Sequence, residues 1–328
     1  MTQRRRFLAA GMAAWAAPSV WIPSAHAQAS TWPSKTVTVI VPTSPGGGND
    51  TMARLISQRL GNVLGQTIVV ENRAGANGAL ATEAVARAAP DGHTLLWGYI
   101  ATHSMNPALQ KLRYDPIADF EPISLVGYSP TLMVAHPSAG FTSVKELVAQ
   151  LKVKPDRYAY ASAGNGTAPH FAAELFCLRA GVKMLGVPYK GSAPAMQDTM
   201  SGQTQVMFPS LFSAMQHVKT GRLRALAIAG PKRSAQLPDV PTLKELGIEG
   251  VEVQQWYGFF APAKTPPEIV SRLHTTINRI LAEEELIKRI EGQGADVETA
   301  TQAEFAALLK SELVKWRQVV ASAKITPD

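Results

Sequence analysis

The run TVTVIVPTSPGGGNDTMARLISQRL, residues 36–60, decides the fold. Thr36 to Val41 are rich in β-branched residues and read as a strand. Met52, Leu55, Ile56 and Leu60, with Val63 just beyond, recur at the spacing of one helix face. Between strand and helix lies PTSPGGGND, residues 42–50, a loop nearly stripped of side chains. Glycines there let the backbone approach a ligand, and the free amide hydrogens at the helix start attract an anion.

The same pattern repeats along the chain. Thr67 to Glu71 and His93 to Tyr99 read as strands, with a helix from Ala79 to Ala89 and the turn Pro90-Asp91-Gly92 between. The alternation predicts an α/β fold with a largely parallel sheet. Past Tyr128 it restarts: strand Thr131–Ala135, a helix opened by Ser143-x-x-Glu146, strand Tyr158–Ser162, a loop, and a helix through Phe171 to Leu178. Two similar lobes follow, 28–129 plus 251–328 and 130–250, with an irregular connection at 231–250. The C-terminal part reads as helical. Ile269 to Leu281 is one helix, and Thr301-x-x-Glu304 caps another whose face carries Phe305, Leu308, Leu309, Leu313 and Trp316.

At the start of the chain, Arg4, Arg5 and Arg6 precede an apolar stretch from Phe7 to Val20, and Ala25-His26-Ala27 forms a small-x-small cleavage site. The order Arg5-Arg6-Phe7-Leu8 resembles a twin-arginine export signal. The reading is an exported, periplasmic protein cut near Ala27. Loss of 1–27 lowers the net charge from +7 to +4, with 29 basic and 25 acidic side chains left, too mild a balance for nucleic acid. Cys177 is the single cysteine, so there is no intrachain disulfide and no cysteine metal cluster.

A second glycine loop, Ala161-Ser162-Ala163-Gly164-Asn165-Gly166-Thr167-Ala168-Pro169-His170, occupies the same strand-to-helix position in the second lobe. Two such loops across a cleft offer two helix starts to one small anion. Nucleotides are disfavoured: no lysine follows Gly46-Gly47-Gly48, and no Gly-x-Gly-x-x-Gly occurs. Catalysis is disfavoured as well. There is no Gly-x-Ser-x-Gly and no His-Glu-x-x-His, and His93, His103, His136, His170, His217 and His274 lie at no ligand spacing. An enzyme, a metal and a cofactor are therefore not expected.

Several blocks together resemble the periplasmic receptors of tripartite tricarboxylate transporters, the Bug or TctC type. They are Ile40-Val41-Pro42 with Pro45-Gly46-Gly47 and Asp50; 70–78; Ala89-Pro90-Asp91-Gly92; 160–167 with His170; 187–191; Pro194-Ala195 with Asp198; 221–227; 238–242; and Trp256-Tyr257-Gly258. The resemblance implies a two-lobed α/β binding protein of the type II-like kind, a sheet flanked by helices in each lobe, closing on a small organic carboxylate. It implies a monomer that delivers its ligand to membrane permease subunits, or else a sensor that docks on a membrane kinase. It implies a site made by Ser44, Gly46, Gly47, Asn49 and Asp50 of the first loop and Ser162, Ala163, Gly164, Gly166 and Thr167 of the second, supported by His170 and Asp198. The chain departs from the family at Thr43, where Phe is common, and at Gln205 and Pro209, where aspartates are frequent. Thr43 is therefore expected to touch ligand and tune its choice, and Trp97, Tyr99, Thr102 and His103 are expected near that end of the site.

Overall fold

Val37, Val39, Ile40 and Val41 are all buried in β1 (Val37–Val41). Burial of consecutive residues is what a strand covered on both faces requires. Accordingly β1 pairs in parallel with β2 (Ile68–Asn72) on one side and β3 (Thr94–Tyr99) on the other. The computed structural model from which these pairings come describes residues 32–327. The export segment expected at 1–27 lies outside them, and no helix among the described residues is long and apolar enough to cross a membrane.

Helices α1 (Gly48–Leu64) and α2 (Ala79–Ala86) connect the first three strands, and a π turn at Ala101–Met105 leads into the short α3 (Asn106–Leu109). Strand β4 (Phe120–Ala135) follows, then α4 (Val144–Val153), β5 (Ala159–Ser162), α5 (Ala168–Ala180), β6 (Leu185–Pro188), α6 (Ser192–Met200), β7 (Val206–Met207), α7 (Leu211–Lys219) and β8 (Arg224–Ala229). After an irregular stretch come β9 (Gln254–Pro262), α8 (Pro267–Leu281), α9 (Glu284–Glu291), β10 (Asp296–Val297) and α10 (Gln302–Ala323).

Strand β4 is 16 residues long and belongs to two sheets. Its first part pairs antiparallel with β9 and β10, completing the order β2-β1-β3-β9-β4. Its last part pairs antiparallel with β8 and β7, and β7 continues in parallel to β5 and β6. Each sheet is flanked by helices, which gives two α/β lobes. The sheets are mixed, because β3–β9, β9–β4 and β4–β8 run antiparallel. That corrects the largely parallel expectation. The cause is β9, which returns from the far lobe and inserts between β3 and β4; eight of its nine residues are buried, so it shows no alternation.

The capping signals hold. Ser143 Oγ accepts from Glu146 N at 3.2 Å, and Thr301 and Glu304 exchange both bonds of a capping box. Helix α10 buries Phe305, Leu309, Leu313 and Trp316. The Phe305 ring lies 5.2 Å from Phe260 and 5.8 Å from Trp256 on β9, and Trp316 meets Phe171 of α5 at 5.3 Å. Space under Phe305 is provided by Gly258: a methyl built there falls 2.4 Å from Phe305 Cζ and 2.9 Å from the Ser124 carbonyl. Gly258→Ala is therefore expected to destabilise the protein by about 1–3 kcal/mol through overpacking. A lower urea midpoint with an unchanged far-ultraviolet spectrum checks this.

Candidate ligand-binding site

The loop between β1 and α1 is shaped from inside by Asp50, which is 4% exposed. One carboxylate oxygen accepts from Gly46 N at 2.9 Å and the other from Arg54 Nε at 2.8 Å. Arg54 Nη2 also donates to Asn72 Oδ1 at 2.7 Å, and Asn72 Nδ2 donates to the Thr43 carbonyl at 3.1 Å. Asn49 Oδ1 accepts from Trp97 Nε1 at 3.0 Å. Both polar side chains that open α1 thus serve the loop's own geometry. Bonds to a charged partner are worth about 1.5–3 kcal/mol each, enough to hold an irregular loop in one shape.

The second loop is likewise tied to itself. Ser162 Oγ accepts from Gly164 N at 3.3 Å, Thr167 Oγ1 donates to the Gly164 carbonyl, and His170 Nδ1 accepts from Gly166 N at 3.3 Å. Asp198 accepts from the Tyr189 hydroxyl at 2.8 Å.

Between the lobes lies a cavity of about 60 Å³. It is walled by Pro42, Thr43, residues 74–78, Tyr99, Ala163 and residues 189–191. Of the residues expected at the site, Thr43 and Ala163 line it; Ser44 sits at its edge, donating to the Lys190 carbonyl. Gly46 and Gly47 continue the first loop toward α6, where a methyl built on Gly47 meets the Ala193 nitrogen at 3.8 Å. Gly166 abuts Asn106, since a methyl built there falls 3.0 Å from Asn106 Oδ1. Ser162 and His170 line a different cavity, of about 200 Å³, with Glu174 and residues 324–326.

Two wall segments escaped the sequence reading as site residues. One is the turn at 74–78 between β2 and α2, in which Gly75, Ala76, Asn77 and Gly78 all have positive φ (142°, 44°, 56° and 91°). Such backbone costs about 1–2 kcal/mol for a residue with a side chain and is typical of functional sites. Its signal was available, because Ala74-Gly75-Ala76-Asn77-Gly78 is a third glycine loop between a strand and a helix. The other is 189–191, where the β6–α6 connection passes Ser44 so closely that a methyl built on Gly191 falls 3.1 Å from Ser44 Oγ.

Of the four residues expected near Thr43's end, Tyr99 alone reaches the cavity. Trp97 is buried on Asn49, and Thr102 Oγ1 is spent on the Tyr99 backbone and on His103 Nδ1. His103 stacks on Phe260 at 4.0 Å, and burial pulls its pKa down to about 3, so it stays neutral. Gln205 pairs with the Ala159 nitrogen and the Gly202 carbonyl, and the Pro209 carbonyl accepts from Leu132 N. Both are structural.

Electrostatically the cavity favours an anion. Gly78 and Gly191, the N-caps of α2 and α6, line it directly. The start of α1 faces α7 as well: a methyl built on Gly48 falls 3.1 Å from Ser213 Cβ. Each helix start carries roughly half a positive charge. No acidic side chain lines the cavity, and Lys190 is its one charged residue.

The family model for the tripartite tricarboxylate transporter family receptor, TctC, matches residues 52–325. The chain belongs to this family. The receptor fold is shared with the periplasmic binding protein BugD, 34% identical at a TM-score of 0.87, covering 90% of this chain and 99% of that one. It is shared with Rpa4515 of R. palustris, solved with adipate, 33% identical at 0.88 over 90% and 100% of the two chains. It is shared too with MatC from Rhodopseudomonas palustris, solved with malate, 36% identical at 0.85 over 88% and 100%. These receptors are periplasmic binding proteins that capture solutes and catalyse no reaction, and the resemblance read from the sequence is thereby established.

In this receptor the lobes meet most tightly at Gly164. It has φ +110°, and a methyl built on it falls 2.1 Å from Asn77 Oδ1 and 3.2 Å from the Tyr189 carbonyl. Gly164→Ala is expected to prop the lobes apart and weaken ligand binding by at least about tenfold. Calorimetry for affinity and small-angle scattering for closure check this together.

Proposed function

We propose that this receptor captures a small organic carboxylate by closing its two lobes, 28–129 plus 251–328 and 130–250, and delivers it to the membrane permease subunits of a tripartite transporter. The observation that carries the reading is the cavity between the lobes, which is walled by backbone and helix N-caps from both and lacks any acidic side chain. A carboxylate suits such a wall, since main-chain amides supply hydrogen bonds and the helix starts supply the field. The relatives solved with adipate and malate point to the same ligand class.

Closure follows from differential affinity. A ligand that touches both lobes binds the closed form better and shifts the population toward it. On this reading Thr43 and Ala163 touch ligand, and Ser44, Gly46, Gly47, Gly164, Gly166 and Thr167 bring the two backbones to it. Asn49, Asp50, His170 and Asp198 hold those elements in place. We further propose that the receptor works as a monomer in the periplasm after removal of 1–27.

Isothermal calorimetry against di- and tricarboxylates, acidic amino acids and aromatic acids is expected to show at least one binder. Silence from the whole panel overturns the carboxylate assignment. Deletion of the gene is expected to bring cellular uptake of the radiolabelled binder to background. Undiminished uptake overturns the transport role.

A further inference from the structure

Tyr99 lines the cavity at 5% exposure, and its hydroxyl makes no hydrogen bond within the protein. Other buried or half-buried tyrosines spend theirs internally: Tyr114 on the Thr102 carbonyl, Tyr158 on Gln150, Tyr160 on Glu174 and Tyr189 on Asp198. Buried polar groups are nearly always paired, and one left single at a cavity wall is a place for a ligand atom. Burial raises the Tyr99 pKa well above the usual phenol range, so the group is a protonated donor at neutral pH.

Asn77 stands on the same cavity, held in left-handed backbone at φ 56°, and its carboxamide also makes no hydrogen bond within the protein. Both groups come from the lobe that carries β1. Pro42, Ala74, Ala76 and Ala163 complete the nearby wall with small side chains, leaving no apolar slot for a ring or a long alkyl tail. The space of about 60 Å³ holds roughly four to six water-sized groups, at about 10–15 Å³ each.

We propose that Tyr99, with Asn77 beside it, is the specificity residue for a second hydrogen-bond-accepting end of the ligand, which makes the ligand a short dicarboxylate. The inference rests on the carboxylate reading of this cavity. One carboxylate takes the backbone amides and helix starts, and the other accepts from the Tyr99 hydroxyl and the Asn77 amide. A monocarboxylate of equal length leaves both donors unpaired, which is the strongest basis of rejection such a site has.

The test compares matched acids in which one terminal carboxylate becomes a methyl: succinate with butyrate, malate with 2-hydroxybutyrate, glutarate with pentanoate. Calorimetry on the wild type is expected to show a dicarboxylate bound at least about a hundredfold tighter than its partner. Tyr99→Phe, which removes one oxygen, and Asn77→Gly, which keeps the left-handed turn open to the chain, are each expected to weaken that dicarboxylate by roughly 10- to 100-fold. Neither is expected to alter binding of the monocarboxylate or the melting temperature of the free protein. Equal affinity within every pair, or full dicarboxylate affinity in Tyr99→Phe, overturns the inference while leaving the carboxylate reading intact. If no acid in the wider panel binds at all, both fall.

Discussion

The buried carboxylate of Asp50 is the interaction on which the site depends. A loop containing three consecutive glycines has no intrinsic shape, and ordering it costs more backbone entropy than ordering any other sequence of its length. Asp50 meets that cost with a bond to Gly46 N and an ion pair to Arg54, and Arg54 passes the constraint through Asn72 to the Thr43 carbonyl. The result is a backbone wall fixed before any ligand arrives. Preorganisation of this kind lets main-chain amides act as a binding surface, because no ordering penalty is left for the moment of capture.

Strand β4 sets the second constraint. One continuous strand runs through both sheets, and β9 pairs with it after the chain returns from the far lobe. The lobes are therefore joined by extended backbone, which can flex about a few residues without breaking either core. Facing segments then meet with little tolerance. Asn77 against Gly164 and Ser44 against Gly191 leave no room for added side chains, so glycine at 164 and 191 is dictated by the approach of the two walls. An anion inside this contact relieves the mutual repulsion of helix starts that closure brings together.

Much of this was legible in the chain. The strand, loop and helix boundaries around 36–64 were readable because β-branched residues, glycines and a helical apolar period follow one another without ambiguity. The boxes at Ser143 and Thr301 marked helix starts because their reciprocal bonds need specific residues three apart. Strand β9 was not legible, since nearly continuous burial erases the period-two pattern that marks a half-exposed strand. Asn49, Asp50, His170 and Asp198 were identifiable as members of the site region, yet nothing local says whether a polar side chain faces a ligand or its own loop.

The sequence by itself determined the α/β class, the glycine loops at strand-to-helix junctions and the absence of nucleotide and catalytic motifs. Each of these follows from spacing within a few turns of chain. The tertiary structure alone decided which groups share a cavity. It brought 74–78, Tyr99 and 189–191 to Thr43, sent His170 and Ser162 to another face, and left the Tyr99 hydroxyl single among partnered tyrosines. The physical reason is that a binding site between two lobes is a relation among residues far apart in sequence. That relation is fixed by sheet pairing and lobe approach, which no local pattern encodes.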